Sequence, residues 1–184
     1  MKSKLSSALI MMLIVTVAVS AAIAAPRNEL TMRFIKVLNI SSNANVMDKM
    51  PGGTQITPLF IRSTDKGDID LTMLIAYDER IAQIARQIIS NSVTPLIFSV
   101  STMPFVSMRF QPEQLIFQQN GKKWSPSNLA GTNDMFPLDD NIPFGGQIND
   151  SQLHQGVILL PAWFDINKPI EINYNNFRKL CQLK

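Results

Sequence analysis

Asn120-Gly121 stands between two short runs, Gln114 to Gln118 and Lys122 to Trp124. Both central residues of a type I′ turn need positive φ, and Asn and Gly accept it at least cost. The dipeptide therefore predicts a two-residue β-hairpin. The same grammar of short apolar runs cut by turn residues recurs along most of the chain. Ile56 to Ile61 and Ile69 to Ile75 flank a polar stretch, Ser63 to Asp68, in which Gly67 is free to take positive φ. Ile69, Leu71, Met73 and Ile75 share one face, with Asp70 and Thr72 on the other, which predicts a second hairpin.

Further strands are predicted at Leu96 to Val100, at Phe105 to Phe110 between Pro104 and Pro112, at Gly156 to Leu160 and at Ile170 to Tyr174. Near the start, Leu30, Met32 and Phe34 alternate with Thr31 and Arg33, which reads as a half-buried strand. The break at Phe34-Ile35 before Val37 reads as a β-bulge. Ser125 to Leu153 shows no clear period and is rich in Pro, Gly, Asn and Asp. It is either a functional loop or a set of strands too short to see.

One helix is expected. Asp78 is a good N-cap and Glu79 sits in the first turn, where the helix dipole favours an anion. Ile81, Ile84, Ala85, Ile88 and Ile89 form one apolar stripe, opposite Glu79, Arg80, Gln83, Arg86 and Gln87. Ser90-Asn91-Ser92 is read as its end. The stripe is expected to pack on the sheet, with filling a groove of a binding partner as the alternative.

The first residues read as an export signal. Lys2 and Lys4 precede an apolar stretch from Leu5 to about Val19, and Ala22-Ile23-Ala24 offers small residues to a signal peptidase. Pro26 places the expected cut after Ala24, so that 1–24 is leader and 25–184 one domain. The alternative is a retained anchor, because Ala8 to Ala25 runs without a charge. The expected location is periplasmic or extracellular. Removing 24 of the 184 residues leaves 160, enough for one real core. Two of the 17 basic residues leave with the leader, so 15 remain against 14 acidic. Nothing in that balance argues for binding nucleic acid or an anionic membrane. The single cysteine, Cys181, cannot form an internal disulfide, so stability rests on apolar packing. Cys181 itself is read as a frayed-end residue.

About eight strands with turn signals and one inserted amphipathic helix predict a mainly β fold, an antiparallel β-sandwich. The stretch from Phe110-Gln111-Pro112 through Phe117, Asn120-Gly121-Lys122 and Trp124-Ser125-Pro126 carries a resemblance. It closes with Gly156 to Pro161 and with Pro169 to Tyr174. This C-terminal half resembles the secreted immunoglobulin-like domains of unknown function found in bacteria. The helix after Asp78 lies outside the usual pattern of that family. The resemblance implies an accessory or binding role and carries over no catalytic residue.

Tested residue by residue, the chain offers little chemistry. His154 is the only histidine, and no Gly-x-Ser-x-Gly elbow surrounds any serine, Ser151 included. His154 is read as a loop or strand-edge residue. One His and one Cys cannot build a zinc or blue-copper site. Beyond the expected leader Met47 and Met50 are the only close methionine pair, and Met32 and Met73 fit core positions. Asp65, Asp68 and Asp70, and Asp134, Asp139 and Asp140, match no EF-hand; they are read as solvated turn carboxylates, with calcium as the alternative. No cofactor and no metal are expected. Phe136, Phe144, Trp163 and Phe164 lie in or near loops. Such residues more often plug the end of a sandwich; if they meet on the surface they make the candidate binding patch.

The expected function is therefore a non-catalytic exported domain that binds a protein or a cell-envelope component. One alternative is a hydrolase of extracellular polymers working through carboxylates such as Asp139, Asp140 or Asp165. The other is a carrier of an apolar ligand.

Overall fold

The computed structural model describes residues 29–40, 44–62, 69–89, 93–127, 134–139, 141–150 and 152–184. The expected leader, the turn expected at 63–68, the helix end expected at 90–92, Asp140 and Ser151 lie outside them. Among the described residues there are two α-helices, α1 (29–38) and α2 (Glu79–Ile88), and eleven strands. All strand pairs are antiparallel. The mainly β reading holds, with one more helix and more, shorter strands than expected. None of the described helices is long and apolar enough to cross a membrane.

The strands are β1 (Ile56–Ile61), β2 (Leu71–Ala76), β3 (Thr94–Thr102), β4 (Ser107–Phe110), β5 (Ile116–Gln119) and β6 (Lys122–Trp124). They continue as β7 (Met135–Pro137), β8 (Gly146–Asn149), β9 (Leu153–Leu160), β10 (Ile170–Tyr174) and β11 (Phe177–Cys181). A five-stranded sheet runs β1-β2-β3-β9-β7, a four-stranded sheet runs β11-β10-β5-β6, and β4 pairs only with β8. Both predicted hairpins form: Ile56 pairs with Ala76 and Ile61 with Leu71, and Phe117 pairs with Trp124. Asn120 and Gly121 take φ of 51° and 77°, the positive values that the type I′ reading requires.

Side-chain alternation sorts the five-stranded sheet into two apolar faces. Leu71, Met73, Ile75, Leu96, Phe98, Val100, Ile158 and Leu160 meet Phe117, Ile170, Ile172 and Tyr174 of the four-stranded sheet in one core. Ala76, Ile97, Val157 and Leu159 face the other way and meet the helices in a second core. The order of layers is thus helices, sheet, sheet. β3 and β9 are covered on both faces, which is why Val157-Ile158-Leu159-Leu160 is an unbroken apolar run.

The strand expected at Leu30 to Phe34 is instead helix α1. Leu30, Phe34 and Leu38, four apart, are buried, whereas Met32 is 57% exposed. Phe34 meets Phe136 edge to face at 6.0 Å. Burying a ring of that size stabilises by about 2–3 kcal/mol. The surface pair Glu29–Arg33 at 2.7 Å adds only about 0.3–0.5 kcal/mol. Packing of the period-four stripe therefore decides the helix. α2 follows its expectation: Asp78 accepts from the Arg80 N–H at 2.8 Å, a cap of about 1 kcal/mol, and Ile81, Ala82 and Ala85 are buried.

Two buried glutamines pin irregular segments to the sheets. Gln155 accepts from the Val46 N–H at 2.6 Å and donates to the Ala44 carbonyl at 2.9 Å. Gln119 accepts from the Asp165 N–H at 2.7 Å and donates to the carbonyls of Asp165, Lys168 and Pro169. Cys181 also departs from expectation. It is fully buried in β11, opposite Ile170, and burial pushes its thiol pKa up to about 12.

Candidate functional site

The β4–β8 ribbon belongs to neither large sheet. Its inner face is Phe110 and Ile148, both fully buried, with Met108 packed beside them. Its outer face is polar: Ser107 Oγ donates to Asn149 Oδ1 at 2.9 Å, and Arg109 pairs across from Gln147. Each end of the ribbon carries a feature that the sequence did not reveal.

At the Ser107–Asn149 end, the turn Met103-Pro104-Phe105 projects an apolar tip. Phe105 is 96% exposed and Met103 is 45% exposed. Phe105 holds φ at 63°, a left-handed value that costs a non-glycine residue roughly 1–2 kcal/mol. The conformation is fixed by its N–H donating to Asp150 Oδ1 at 3.1 Å and by the Val106 N–H donating to the Met103 carbonyl at 3.1 Å. The predicted strand from Phe105 to Phe110 is thus shorter, and its first residue is a presented side chain. The only signal in the sequence is an aromatic residue directly after a proline, which is too common to single out.

At the Phe110–Gly146 end lies a cleft of about 340 Å³. Arg109, Gln111, Glu113, Pro137, Pro143 and Gly145 are among the residues that line it. Phe144 forms its back. The ring lies 5.4 Å from Phe110 and 6.0 Å from Phe98, and it rests on Gly156. A Cβ on Gly156 would lie 2.3 Å from the Phe144 ring, so only glycine leaves the slot open. Glu113 is the single carboxylate among the lining residues, so the cleft holds no acid pair for glycoside chemistry.

The four aromatic residues of the expected patch divide into two pairs. Phe136, Phe144 and Phe164 are buried. Phe136 packs on α1, and Phe144 plugs the space behind the cleft. Trp163 is half-buried and stacks on Phe164 at 3.9 Å, with Lys122 Nζ 5.7 Å from its ring. Phe164 meets Phe117 and Trp124. The structure brings Trp163 and Phe164 together in one place and Phe136 and Phe144 together at the cleft in another, and it does not join the four in one surface patch.

His154 is neither loop nor strand edge. It lies within β9, paired with Val100 of β3, and is 2% exposed. Among the described residues neither ring nitrogen has a hydrogen-bond partner, so none of them makes a Ser-His or Cys-His pair with it; Ser151 lies outside those residues. Burial lowers its pKa, while the backbone of Pro143, Phe144 and Gly145 beside it favours the charged form.

A second hollow of about 640 Å³ lies at the start of α2 and contains Asp78 and Glu79. Both carboxylates are engaged. Asp78 takes the Arg80 guanidinium at 2.6 Å and the Arg80 N–H. Glu79 accepts from Tyr77 Oη at 2.6 Å and from Arg86 at 3.0 Å, with Lys184 at 3.6 Å. The Tyr77 hydrogen bond lowers the Glu79 pKa. Burial first, and then Glu79, push the Tyr77 pKa up to about 12. Neither group is poised to move a proton near neutrality.

The other carboxylates shape turns. Asp139 accepts from the N–H groups of Asn141 and Ile142, Asp165 from that of Asn167, and Asp134 from that of Ser127. Among the described residues no three His, Cys, Asp or Glu side chains converge as a metal site would need. Asp65, Asp68 and Asp140 lie outside the described residues. No protein-family model, no curated protein and no solved structure matches this chain.

Proposed function

We propose that this chain is an exported immunoglobulin-like β-sandwich that binds a protein of the cell envelope without catalysing a reaction, and that the Met103–Phe105 tip is its contact. The observation that carries the reading is Phe105, a fully presented ring held at positive φ by a dedicated carboxylate. Backbone strain of this kind is retained where the surrounding structure over-determines it, and binding elements are a common place for it. An exposed aromatic beside a second apolar side chain suits the anchor role that dominates protein interfaces. The two clusters of buried apolar side chains favour a packed interior over the apolar-carrier alternative. The tied carboxylates Asp78, Glu79, Asp139 and Asp165 do the same for the hydrolase. Export rests on the leader, and the immunoglobulin-like topology rests on the resemblance of the C-terminal half.

The test is affinity capture from the host's envelope fraction with the wild-type chain and with Phe105→Ser. The wild type is expected to retain a specific protein, depleted about tenfold or more by the substitution. Equal recovery by both would remove the tip from the reading. Capture of nothing, or turnover of an extracellular polymer by the wild type, would remove the reading itself.

A further inference from the structure

Among the described residues, His154 carries the only buried side-chain nitrogen or oxygen atoms without a hydrogen-bond partner. Buried polar groups are nearly always paired, so an orphaned imidazole at this depth needs a reason. Its surroundings supply one. His154, Gly156 and Ile158 alternate along the same face of β9, and the Phe144 ring sits on Gly156. The backbone of Pro143, Phe144 and Gly145 borders the imidazole itself. Those three residues and Gly146 also line the cleft. One segment therefore seals the histidine on one side and bounds the cleft on the other.

Among the described residues the site holds few charges, and the backbone of Pro143, Phe144 and Gly145 only partly offsets the burial that disfavours a cation. His154 is the sole titratable residue on β3, β8, β9 and residues 141–146. On the neighbouring elements, Arg109 of β4 is exposed and Glu113 of the 3-10 turn Pro112–Gln114 lines the cleft. Among the described residues no charged side chain contributes to the state of the imidazole. A cation formed there has no counter-ion among the described residues, and an unpaired buried charge is expensive.

We propose that His154 is a proton-operated latch: uncharged, it lets residues 143–146 stay seated over β9; protonated, it drives that segment off, widening the cleft and baring the Phe144 ring. The sign follows from linkage. Burial lowers the imidazole pKa in the seated form, while the lifted form returns it to the free range of about 6.5. The seated form therefore binds fewer protons. Above that range the latch is fully shut. Below it, the opening constant rises roughly tenfold for each pH unit until the sealed imidazole itself titrates.

Hydrogen exchange of the full chain, read on peptides covering 141–148 and corrected for intrinsic rates, tests this directly. Wild-type protection is expected to fall about fivefold between pH 6.5 and 5.5. Fluorescence of 1-anilinonaphthalene-8-sulfonate should rise over the same interval. His154→Leu should keep its protection across it. A wild-type segment indifferent to pH, or the same pH dependence in His154→Leu, overturns the latch. Should the leucine variant fail to fold, an NMR titration of the wild-type imidazole decides. A pKa at or above the free range overturns the proposal. A depressed value that tracks the exchange supports it.

Discussion

Phe105 and Phe144 sit near opposite ends of one short ribbon and have opposite fates. Phe144 is almost wholly buried, wedged between Phe98 and Phe110 on a glycine that exists to admit it. Phe105 is almost wholly in water and is held in a conformation its side chain resists. The first ring earns its place by packing. The second costs stability to present, and folding alone does not explain it. An aromatic residue in a loop is thus uninformative until its backbone and its neighbours are known.

Truncating each ring should separate the two most sharply. Phe144→Ala leaves a cavity between the sheets and is expected to cost about 3–5 kcal/mol in denaturant unfolding. Gly156→Ala attacks the same slot from below, with a Cβ 2.3 Å from the ring and 2.8 Å from the Phe136 carbonyl. It should cost about 1–3 kcal/mol, and pairing it with Phe144→Ala should recover part of that loss. Additive losses in the double variant would show that the ring and the glycine do not share a slot. At the other end, Asp150→Ala removes the acceptor of the Phe105 N–H. It should cost about 0.5–1.5 kcal/mol and speed amide exchange at Phe105. The smallest effect is expected from Phe105→Gly, which relieves the positive φ. Its unfolding free energy should be unchanged or up by about 1 kcal/mol. A large loss there would mean that Phe105 packs in solution, and the contrast would collapse.

Much of the frame is legible in the residues. Asp78 with its isoleucine stripe announces α2, and Asn120-Gly121 announces a turn whose dihedrals follow. Helix α1 is not legible in the same way. Leu30 and Phe34 fit a two-residue and a four-residue period equally, and only the face of β9 and β7, presenting Val157 and Phe136, settles it. β7 and β8 are three and four residues long, too short for any period to register. β11 is hidden because Arg178, Lys179 and Leu180 are exposed in succession. Lys179 stands opposite the buried Ile172 at the sheet edge, so the apolar alternation that marks a strand is missing. The candidate site is the least legible part. The seclusion of His154 and the exposure of Phe105 both depend on which distant segment crosses them.

Cys181 carries a practical consequence. Its sulfur is sealed under the last strand, and the thiolate that reacts with oxidants or disulfide reagents is almost absent at neutral pH. A lone thiol so guarded reacts only when β11 peels away. The rate at which an aromatic disulfide reagent modifies the intact protein therefore times that event, with no label to introduce and no second cysteine to confuse the count.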